Sequence, residues 1–521
     1  MLLLPLFFLA LFALHAPLLH LPYFWDEAGY YVPAARDLLL TGSLIPHSTP
    51  SNAHPPLVMA FLALAWKVLG YAPVVTRTAM LLLAAFSLLG VFRLAQRVAN
   101  TEVAIGSAIC TALYPAFFSQ SSLAHLDLAA AGLTFWGMLA YVEDRRCATA
   151  FWFSLAVLTK ETAVLAPLAL LGWKILPQGL KPGLEEASSD TAKAVLFPAI
   201  FQHARAKLLA LVAPLLPLAL WYTYHYFHTG FVFGNPEFFR YNVQATVQPL
   251  RILLALGLRM WQVLGYLNLY FLTLATLMAM GRPPIKDGKP ERPRIALHAQ
   301  LAFLSVTVAY ALAMAVVGGA VLARYMLPAV PLVIIICVST LRRRVQKWRV
   351  VVGIVALTFV AALFVNPPYG FSIEDNLAYR DYIRLHQGAE NFLEARYPMA
   401  RVLTAWPASD ELSRPYLGYV TRPMRVVRIE DFTAEQVLSA TDLRSKFDVA
   451  LVFSTKYEPP HPWFEHWQAW QRWKTEFFGY HRDVPPAAAA QILGGQLVYQ
   501  ERRKNQWVGV IEVERVEEAR R

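Results

Sequence analysis

The sequence predicts a mainly α-helical polytopic membrane bundle of about eleven transmembrane helices, with a C-terminal α/β domain outside the cytoplasm. Of the 521 residues, 57% are hydrophobic and only 16% are charged, whereas soluble domains carry roughly 25% charge. The long apolar runs are confined to residues 1–365, and residues 366–521 have an ordinary soluble composition. Basic residues cluster in the short linkers between apolar runs, which is typical of cytoplasmic loops.

The apolar runs give the positions of the predicted spans, since crossing the bilayer core takes roughly 20 apolar residues. We expect spans at residues 2–20, 73–97, 103–121, 126–142, 148–159, 162–177, 206–228, 251–280, 296–317, 321–340 and 347–365. The two short runs 148–159 and 162–177 predict a tight hairpin. The first run lacks the basic n-region and the cleavage site of a signal peptide, so we expect an uncleaved span there.

The placement of Lys and Arg predicts the orientation. With a cytoplasmic N-terminus, the cytoplasmic linkers hold basic clusters such as residues 282–294 and 342–349, and the opposite loops hold only scattered basic residues. The positive-inside rule therefore places loop 21–72 and the C-terminal domain outside the cytoplasm. We expect a multi-pass protein of the cell (inner) membrane. The net charge of +12 then reflects the linkers and does not indicate a nucleic-acid partner.

Two further regions have local signals. In loop 21–72, "HPPLVMAFLALAWKVLG" predicts an interfacial helix whose start is set by Pro55 and Pro56. In residues 366–521, "ARVLTAWP", "MRVVRI" and "DVALVFST" predict strands and "TAEQVLSATDLRSKF" predicts a helix. The last segment predicts a hairpin that turns near Lys504 and Asn505. No Gly-rich phosphate loop and no nucleophile elbow occurs in this domain.

A tryptophan stripe also falls in the C-terminal domain. Trp463, Trp467, Trp470 and Trp473 share one face of a predicted helix. A helical aromatic stripe usually packs in a core, and we expect a core stripe here. An aromatic surface docked on the bilayer is the alternative.

The predicted topology brings ionisable residues from distant segments to one outer face of the bundle. They are the acids Asp26, Glu27 and Asp127 and the bases His54, Lys160, Arg324 and Arg240. Such residues near a membrane usually mark a functional site. A carboxylate can take the proton of an acceptor hydroxyl, and fixed cations can stabilise a phosphate leaving group. Glycosyl transfer from a lipid-linked sugar phosphate uses both, and it needs no nucleotide-binding motif.

Several motifs along the membrane half carry a resemblance. They are the Asp-Glu pair after the first span, "HPPL" at 54–57, "LAHLDLAAAGLTFW" before the fourth span, "LTKETAVLAPLALL" at 158–171 and "ARYMLPAVPLVIII" at 323–336. In this order they resemble the polyprenyl-phosphate-sugar transferases of the glycosyltransferase C superfamily. That group includes protein O-mannosyltransferases and lipid A aminoarabinose transferases.

The resemblance implies roles for individual residues. Asp26 matches the acid taken to be the catalytic base, and Asp127 matches a second extracytoplasmic acid. His54, Lys160 and Arg324 match positions near the donor phosphate. Similar enzymes invert the anomeric centre in a single displacement. The donor would be a polyprenyl-phosphate-linked sugar, and membrane lipid would surround it.

The remaining assignments complete the prediction. We assign Glu27 to the catalytic group, although its simpler role is to orient a neighbouring residue. We assign Arg240 to the donor-binding group. His15, His20, His47, His225 and His228 show no ligand spacing, so we propose no metal and no cofactor; a transient divalent cation stays open. The chain lacks the luminal repeat domains of eukaryotic protein mannosyltransferases and has fewer late spans than aminoarabinose transferases. The sequence does not identify the sugar. It does not identify the acceptor either, which we expect to be a hydroxyl of a glycolipid, glycan or protein.

Each candidate residue also has a structural alternative. Asp26 or Asp127 could serve as a helix N-cap. Lys160 could pair with its acidic neighbour at a hairpin tip, Arg324 could snorkel to the interface, and His54 could be a surface residue. Two alternatives exist for the whole chain: a transporter or flippase for an anionic lipid or metabolite, and a non-catalytic assembly partner. Transporters usually place their site near the midplane within paired repeats, and neither pattern occurs here.

Overall fold

The computed structural model describes residues 2–175, 206–286, 291–460 and 467–513. Helices make up most of this part of the chain, and one sheet lies near its C-terminus. The helices of the membrane half are α1 (Leu3–His15), α2 (Val32–Thr41), α3 (Leu57–Leu69), α4 (Pro73–Val98), α5 (Thr101–Leu113), α6 (Pro115–Gln120), α7 (Leu126–Val142), α8 (Arg146–Thr159), α9 (Leu165–Ile175), α10 (Leu215–Thr229), α11 (Pro236–Asn242), α12 (Pro249–Leu264), α13 (Leu269–Met280), α14 (Leu297–Val316), α15 (Val330–Arg344) and α16 (Trp348–Phe364).

Four helical stretches in the described residues are long and apolar enough to cross a membrane. They are Pro73–Val98, Ala206–Thr229, Pro249–Met280 and Leu297–Val316. The predicted count of about eleven spans is thus not confirmed, because several apolar runs form shorter helices. The run 103–121 breaks at Tyr114, whose ψ of 123° is extended, as expected before Pro115. The run 321–340 begins with the 3₁₀ turn Ala323–Met326, so α15 starts only at Val330.

The local predictions for the outer loops are confirmed in part. Helix α3 begins directly after Pro56. It buries Leu62 and Trp66 against the bundle and exposes Leu64 and Val68, which suits a helix lying at the bilayer interface. The turn of the expected hairpin is the 3₁₀ turn Glu161–Val164, but its two arms do not pack tightly together, since α8 packs mainly on α7 and α9 on α14. Part of the predicted second arm, residues 176–177, lies outside the described residues.

The C-terminal region is a small α/β domain, as predicted. Its helices are α17 (Ala378–Arg396), α18 (Ala408–Ser413), α19 (Ala434–Ser439), α20 (Gln468–Phe478) and α21 (Pro486–Leu493). Its strands are β1 (Arg401–Thr404), β2 (Arg425–Arg428), β3 (Val449–Phe453), β4 (Gly495–Arg503) and β5 (Gln506–Val513).

The five-stranded sheet has the order β2-β1-β3-β5-β4. Strands β1, β2 and β3 are parallel, and β5 pairs antiparallel with β3 and β4. Strand β3 is buried throughout, which matches its continuous apolar sequence. The β4–β5 hairpin turns at Lys504 and Asn505 as predicted, and both have positive φ, as a tight two-residue hairpin turn requires.

The two halves of the chain share one hydrophobic core. Phe24, Tyr31 and Trp66 of the membrane half belong to the same buried cluster as Phe453 and Ile511 of the sheet. The predicted division at residues 365 and 366 falls between α16 and the 3₁₀ turn Ile373–Asp375. Because its core continues into the outer end of the bundle, the C-terminal domain is a fixed cap over loop 21–72.

The tryptophan stripe is not a core stripe, so that prediction is wrong for the described residues. No residue of α20 is fully buried, and Trp467 is 52% exposed. The rings of Trp467 and Trp473 contact each other, with centroids 5.4 Å apart, and do not enter the sheet core. Helix α20 contacts the membrane half of the chain, since Arg251 of α12 donates a hydrogen bond to the carbonyl oxygen of Phe477 at 3.1 Å. Trp463 lies outside the described residues.

Candidate active site

A cavity of about 890 Å³ opens where loop 21–72, the α8–α9 hairpin and the C-terminal cap meet. This volume lies within the usual range of ligand-binding cavities. Aromatic side chains from loop 21–72 and from residues 233–241 form much of its wall. Its acidic and basic lining residues are Asp26, His54, Lys160, Glu161, Arg324, Glu374 and Lys456.

Asp26 is the carboxylate most open to this cavity among the acids that contact Arg324. Its side chain is 31% exposed, and its Oδ2 accepts a hydrogen bond from Arg324 Nη2 at 2.5 Å. It occupies the N-cap position of the π-helical turn Glu27–Tyr31, but its side chain caps no backbone N–H. The capping alternative is therefore wrong. Within the described residues, Oδ1 has no hydrogen-bond partner, so one carboxylate oxygen is free towards the cavity.

Glu27 has a different environment from its neighbour. It is fully buried and forms a two-pronged ion pair with Arg77 at the start of α4. The backbone N–H groups of Phe24 and Ala124 also donate to its carboxylate, the former at 2.8 Å. Glu27 does not line the cavity. The structure therefore makes Glu27 a positioning residue that fixes the loop carrying Asp26.

Arg324 lies at the centre of the ionisable cluster. Its guanidinium is 3% exposed and contacts three carboxylates: Asp26, Glu374 at 2.6 Å and Asp127 at 3.3 Å. Nη1 also lies 3.0 Å from Nδ1 of His125. The snorkelling alternative is wrong, because the side chain points into the protein. A guanidinium has five N–H groups. Within the described residues, Nε–H and one N–H of Nη2 make no hydrogen bond, so the Nη2 N–H remains for a further ligand.

Asp127 and Lys160 form a second buried pair beside Arg324. Lys160 Nζ lies 2.5 Å from Asp127 Oδ1, and both side chains are at most 6% exposed. Lys160 also lies 4.3 Å above the ring of Tyr325, a cation–π contact. The N-cap of α7 is His125, so the capping alternative for Asp127 is wrong. Lys160 pairs with Asp127 across the bundle and not with Glu161.

His54 and Glu161 form a third pair at the rim. His54 is buried, not a surface residue, and its Nδ1 lies 3.0 Å from Glu161 Oε2. Partial burial would raise the pKa of Glu161, but the charge and hydrogen bond of His54 and the charge of Lys160 lower it to about 2. The position of His54 before two prolines fits a side chain held in one place.

The structure adds two acids that the sequence reasoning missed. Glu374 and Asp375 lie in the 3₁₀ turn after α16, and both are buried. Glu374 contacts Arg324 from the side opposite Asp26, and Asp375 accepts a hydrogen bond from Tyr266 at 2.7 Å. The signal was present: "IEDN" follows the last apolar run just as "FWDE" follows the first. Both pairs lie at the same end of the bundle, where Asp26 and Glu374 contact Arg324.

Burial controls the protonation of these two acids. Desolvation raises the pKa of Glu374 to about 8, which the positive charge of Arg324 only partly opposes. Desolvation likewise raises the pKa of Asp375 to about 7, against the hydrogen bond from Tyr266 and the charge of Arg324. Desolvation therefore favours the uncharged form of Glu374, although its Oε2 still lies 2.6 Å from Arg324 Nη1.

Arg240 is not brought to this site. Its side chain is exposed, and it does not line the cavity, although Phe239 and Tyr241 on either side of it do. Glu27 lies apart, in its pair with Arg77. The other predicted residues form one connected group, in which ion pairs link Asp26, Asp127, Lys160 and Arg324, and His54 lies beside them through Glu161.

The structure is a helical bundle with an acid–base cluster at one end, beneath a small α/β cap. Residues 53–203 match the family model of dolichyl-phosphate-mannose-protein mannosyltransferases. The chain has the fold of ArnT from Cupriavidus metallidurans. The crystal structure of ArnT bound to undecaprenyl phosphate matches with a TM-score of 0.56 at 14% identity, over 98% of this chain and 97% of that one.

One further structural comparison gives a similar match, and another gives a weaker one. The apo form of the same ArnT matches with a TM-score of 0.55 at 14% identity, over 97% of both chains. The oligosaccharyltransferase of Archaeoglobus fulgidus, in complex with Zn and sulfate, matches with a TM-score of 0.45 at 12% identity, over 87% of this chain and 68% of that one. No curated protein is a significant match to the sequence. The resemblance to the glycosyltransferase C superfamily predicted from short motifs is confirmed.

Proposed function

We propose that the protein transfers a sugar from a polyprenyl-phosphate donor to an acceptor hydroxyl of a lipid, glycan or protein, outside the cytoplasm. The observation that carries the proposal is the free Oδ1 of Asp26, which faces a cavity of about 890 Å³ while Oδ2 is held by Arg324. The ArnT structure with undecaprenyl phosphate supports a polyprenyl-phosphate partner for this fold. We expect the N-terminus to be cytoplasmic, as the basic linkers predict.

In this reaction Asp26 is the general base. Its Oδ1 takes the proton of the acceptor hydroxyl as the acceptor oxygen forms its bond to the anomeric carbon. The bond from the anomeric carbon to the phosphate oxygen breaks at the same time, and the phosphate leaves with the electron pair. Attack opposite the leaving group inverts the anomeric centre in one displacement. The proposal requires no cofactor; a transient divalent cation would show itself as sensitivity to a chelator.

The charge balance of the cluster favours this step. With Glu374 protonated, the positive charges of Arg324 and Lys160 are matched by Asp26 and Asp127. Proton uptake by Asp26 leaves one positive charge unmatched at the moment when the phosphate gains negative charge. The free N–H of Arg324 can then bind the leaving phosphate, so the interaction is stronger in the transition state than in the ground state. His54 at the rim adds a further donor.

The test is a transfer assay with purified protein in proteoliposomes. A polyprenyl-phosphate-sugar donor is supplied with lipid and peptide hydroxyl acceptors, and release of free polyprenyl phosphate is measured. We expect Asp26→Asn to lose about 10²-fold or more of the activity, because an amide cannot take the proton. The matched control is Glu237→Gln, an exposed carboxylate on α11, which should keep wild-type activity. Near-normal turnover by Asp26→Asn ends the assignment, and sugar movement across the bilayer without product supports a transporter.

A further inference from the structure

A second group of ionisable residues lies inside the C-terminal cap, away from the cavity. His386 and Glu390 are one turn apart on α17, and Glu411 of α18 faces them. The three side chains are at most 1% exposed. His386 Nδ1 lies 2.6 Å from Glu411 Oε2 and 3.7 Å from Glu390 Oε1. One potential ligand atom from each residue falls within 4.8 Å of those of the other two.

The charges of this group are not balanced by the surrounding protein. Among the described residues, no Lys or Arg forms an ion pair with Glu390 or Glu411. Both carboxylate oxygens of Glu390, Oε1 of Glu411 and Nε2 of His386 are buried without a hydrogen-bond partner. A buried carboxylate without a partner is strongly unfavourable.

We propose that His386, Glu390 and Glu411 bind a divalent transition-metal ion, with Zn²⁺ the best match. One neutral imidazole nitrogen and two carboxylate oxygens form a donor set that Zn²⁺ accepts, and the two negative charges neutralise the ion. Ligand atoms around a tetrahedral ion with bonds of roughly 2.0–2.1 Å are roughly 3.3 Å apart. The distances of 2.6 and 3.7 Å bracket this separation, so small side-chain rotations would bring the three ligand atoms to one ion.

The position of the group suggests what the ion does. It would join α17 to α18, two helices of the cap. Tyr382 stacks on His386 with ring centroids 4.0 Å apart, and its ring also contacts Phe24 and Trp25 of the loop that carries Asp26. The ion would thus stiffen the cap behind the catalytic loop without touching the cavity. It is a structural site, separate from any cation that binds at Asp26.

The metal content of the full-length protein in detergent tests the proposal. After incubation with ZnCl₂ and gel filtration, we expect about one Zn²⁺ per chain by elemental mass spectrometry. A chelator should remove it and lower the thermal midpoint, and added Zn²⁺ should restore both. Glu390→Gln should lose the ion and the chelator response, since a neutral amide is a poor ligand. Asp26→Asn is the matched control for binding in the cavity and should keep both.

Two results would overturn the proposal. One is a Glu390→Gln variant that keeps the wild-type Zn²⁺ content and chelator response. The other is a wild-type protein that takes up no Zn²⁺ while Glu390→Gln is at least as stable, because Gln mimics a neutral carboxylic acid. If the variant does not fold, Co²⁺ loading of the wild type decides the question. A visible absorption band typical of four-coordinate Co²⁺ supports the site, and its absence contradicts it.

Discussion

The acidic residues of the cluster differ mainly in how much of each side chain is exposed to solvent. Asp26 and Glu27 are adjacent, yet Asp26 is 31% exposed and Glu27 is 0% exposed. Asp26 is partly solvated and keeps one carboxylate oxygen free for proton transfer. Both oxygens of the buried Glu27 accept hydrogen bonds, from Arg77 and from two backbone N–H groups. A sequence names both acids as candidates, but it does not say which one faces the cavity.

Glu374 carries the clearest pH-dependent prediction at this scale. Its pKa rises from the ordinary 4.5 to about 8 in the folded protein. The folded state therefore binds more protons than the unfolded state between these two values, and the free energy of unfolding falls as pH rises through that window. The charged groups that face Glu374 are Arg324, Asp375, Asp26 and Asp127. We expect Glu374→Gln to flatten this fall.

The measurement is the thermal midpoint of the detergent-solubilised protein between pH 5 and pH 9. The difference between wild type and Glu374→Gln should widen with pH in favour of the variant and level off above pH 8. Gln keeps the shape of a protonated Glu and cannot ionise. A difference that does not change with pH would show that Glu374 is charged throughout.

At the scale of elements, loop 21–72 is held by a buried ion pair between two segments. Glu27 follows the first helix, and Arg77 begins α4. Arg77 also donates to the carbonyl oxygens of Pro22 and Ser122, so one guanidinium ties the loop to α4 and to the start of α7. Removing one partner of such a pair leaves an unmatched buried charge, which costs about 3–5 kcal/mol.

We expect Glu27→Gln to destabilise the protein by about this amount and to lower activity in step with the folded fraction. The double variant Glu27→Gln, Arg77→Met removes both charges while Gln keeps an acceptor for the backbone N–H groups. It should recover part of the lost stability. Thermal unfolding and gel filtration in detergent measure both effects. A catalytic role for Glu27 would be indicated instead if Glu27→Gln were fully stable but inactive.

The sequence predicted elements well where one local rule decides them. The proline pair at the start of α3, the turn after Lys160 and the turn at Asn505 were all located correctly. Helix lengths were not predicted correctly. Several apolar runs are long enough for a full span, but 3₁₀ turns and extended residues before proline divide them into shorter helices. The prediction that the tryptophan face of α20 is buried was wrong for a related reason. Periodicity shows that a face is apolar, but only tertiary packing shows whether another element covers it.

At the scale of the whole molecule, the cavity depends on both halves of the chain. Trp406, Thr455 and Lys456 of the cap line it together with Asp26 and Arg324. The ring of Trp406 lies against Gly29, where a Cβ would come within 2.6 Å of it. Composition separates an apolar part of the chain from a C-terminal part of ordinary soluble composition. It could not show that they share one core, since contacts between residues hundreds of positions apart leave no local pattern.

The shared core predicts that cap and bundle unfold together. Ile511 on β5 is fully buried in the cluster that also contains Phe24 and Tyr31. Ile511→Ala should cost about 2–5 kcal/mol, and calorimetry in detergent should show one transition moved to lower temperature. Transferase activity should be lost at that same lower temperature, although Ile511 is far from Asp26 in sequence. The control Arg502→Gln, at an exposed position of β4, should leave both unchanged. Two separate transitions, with only the first one moved by Ile511→Ala, would show instead that the cap is an independent domain.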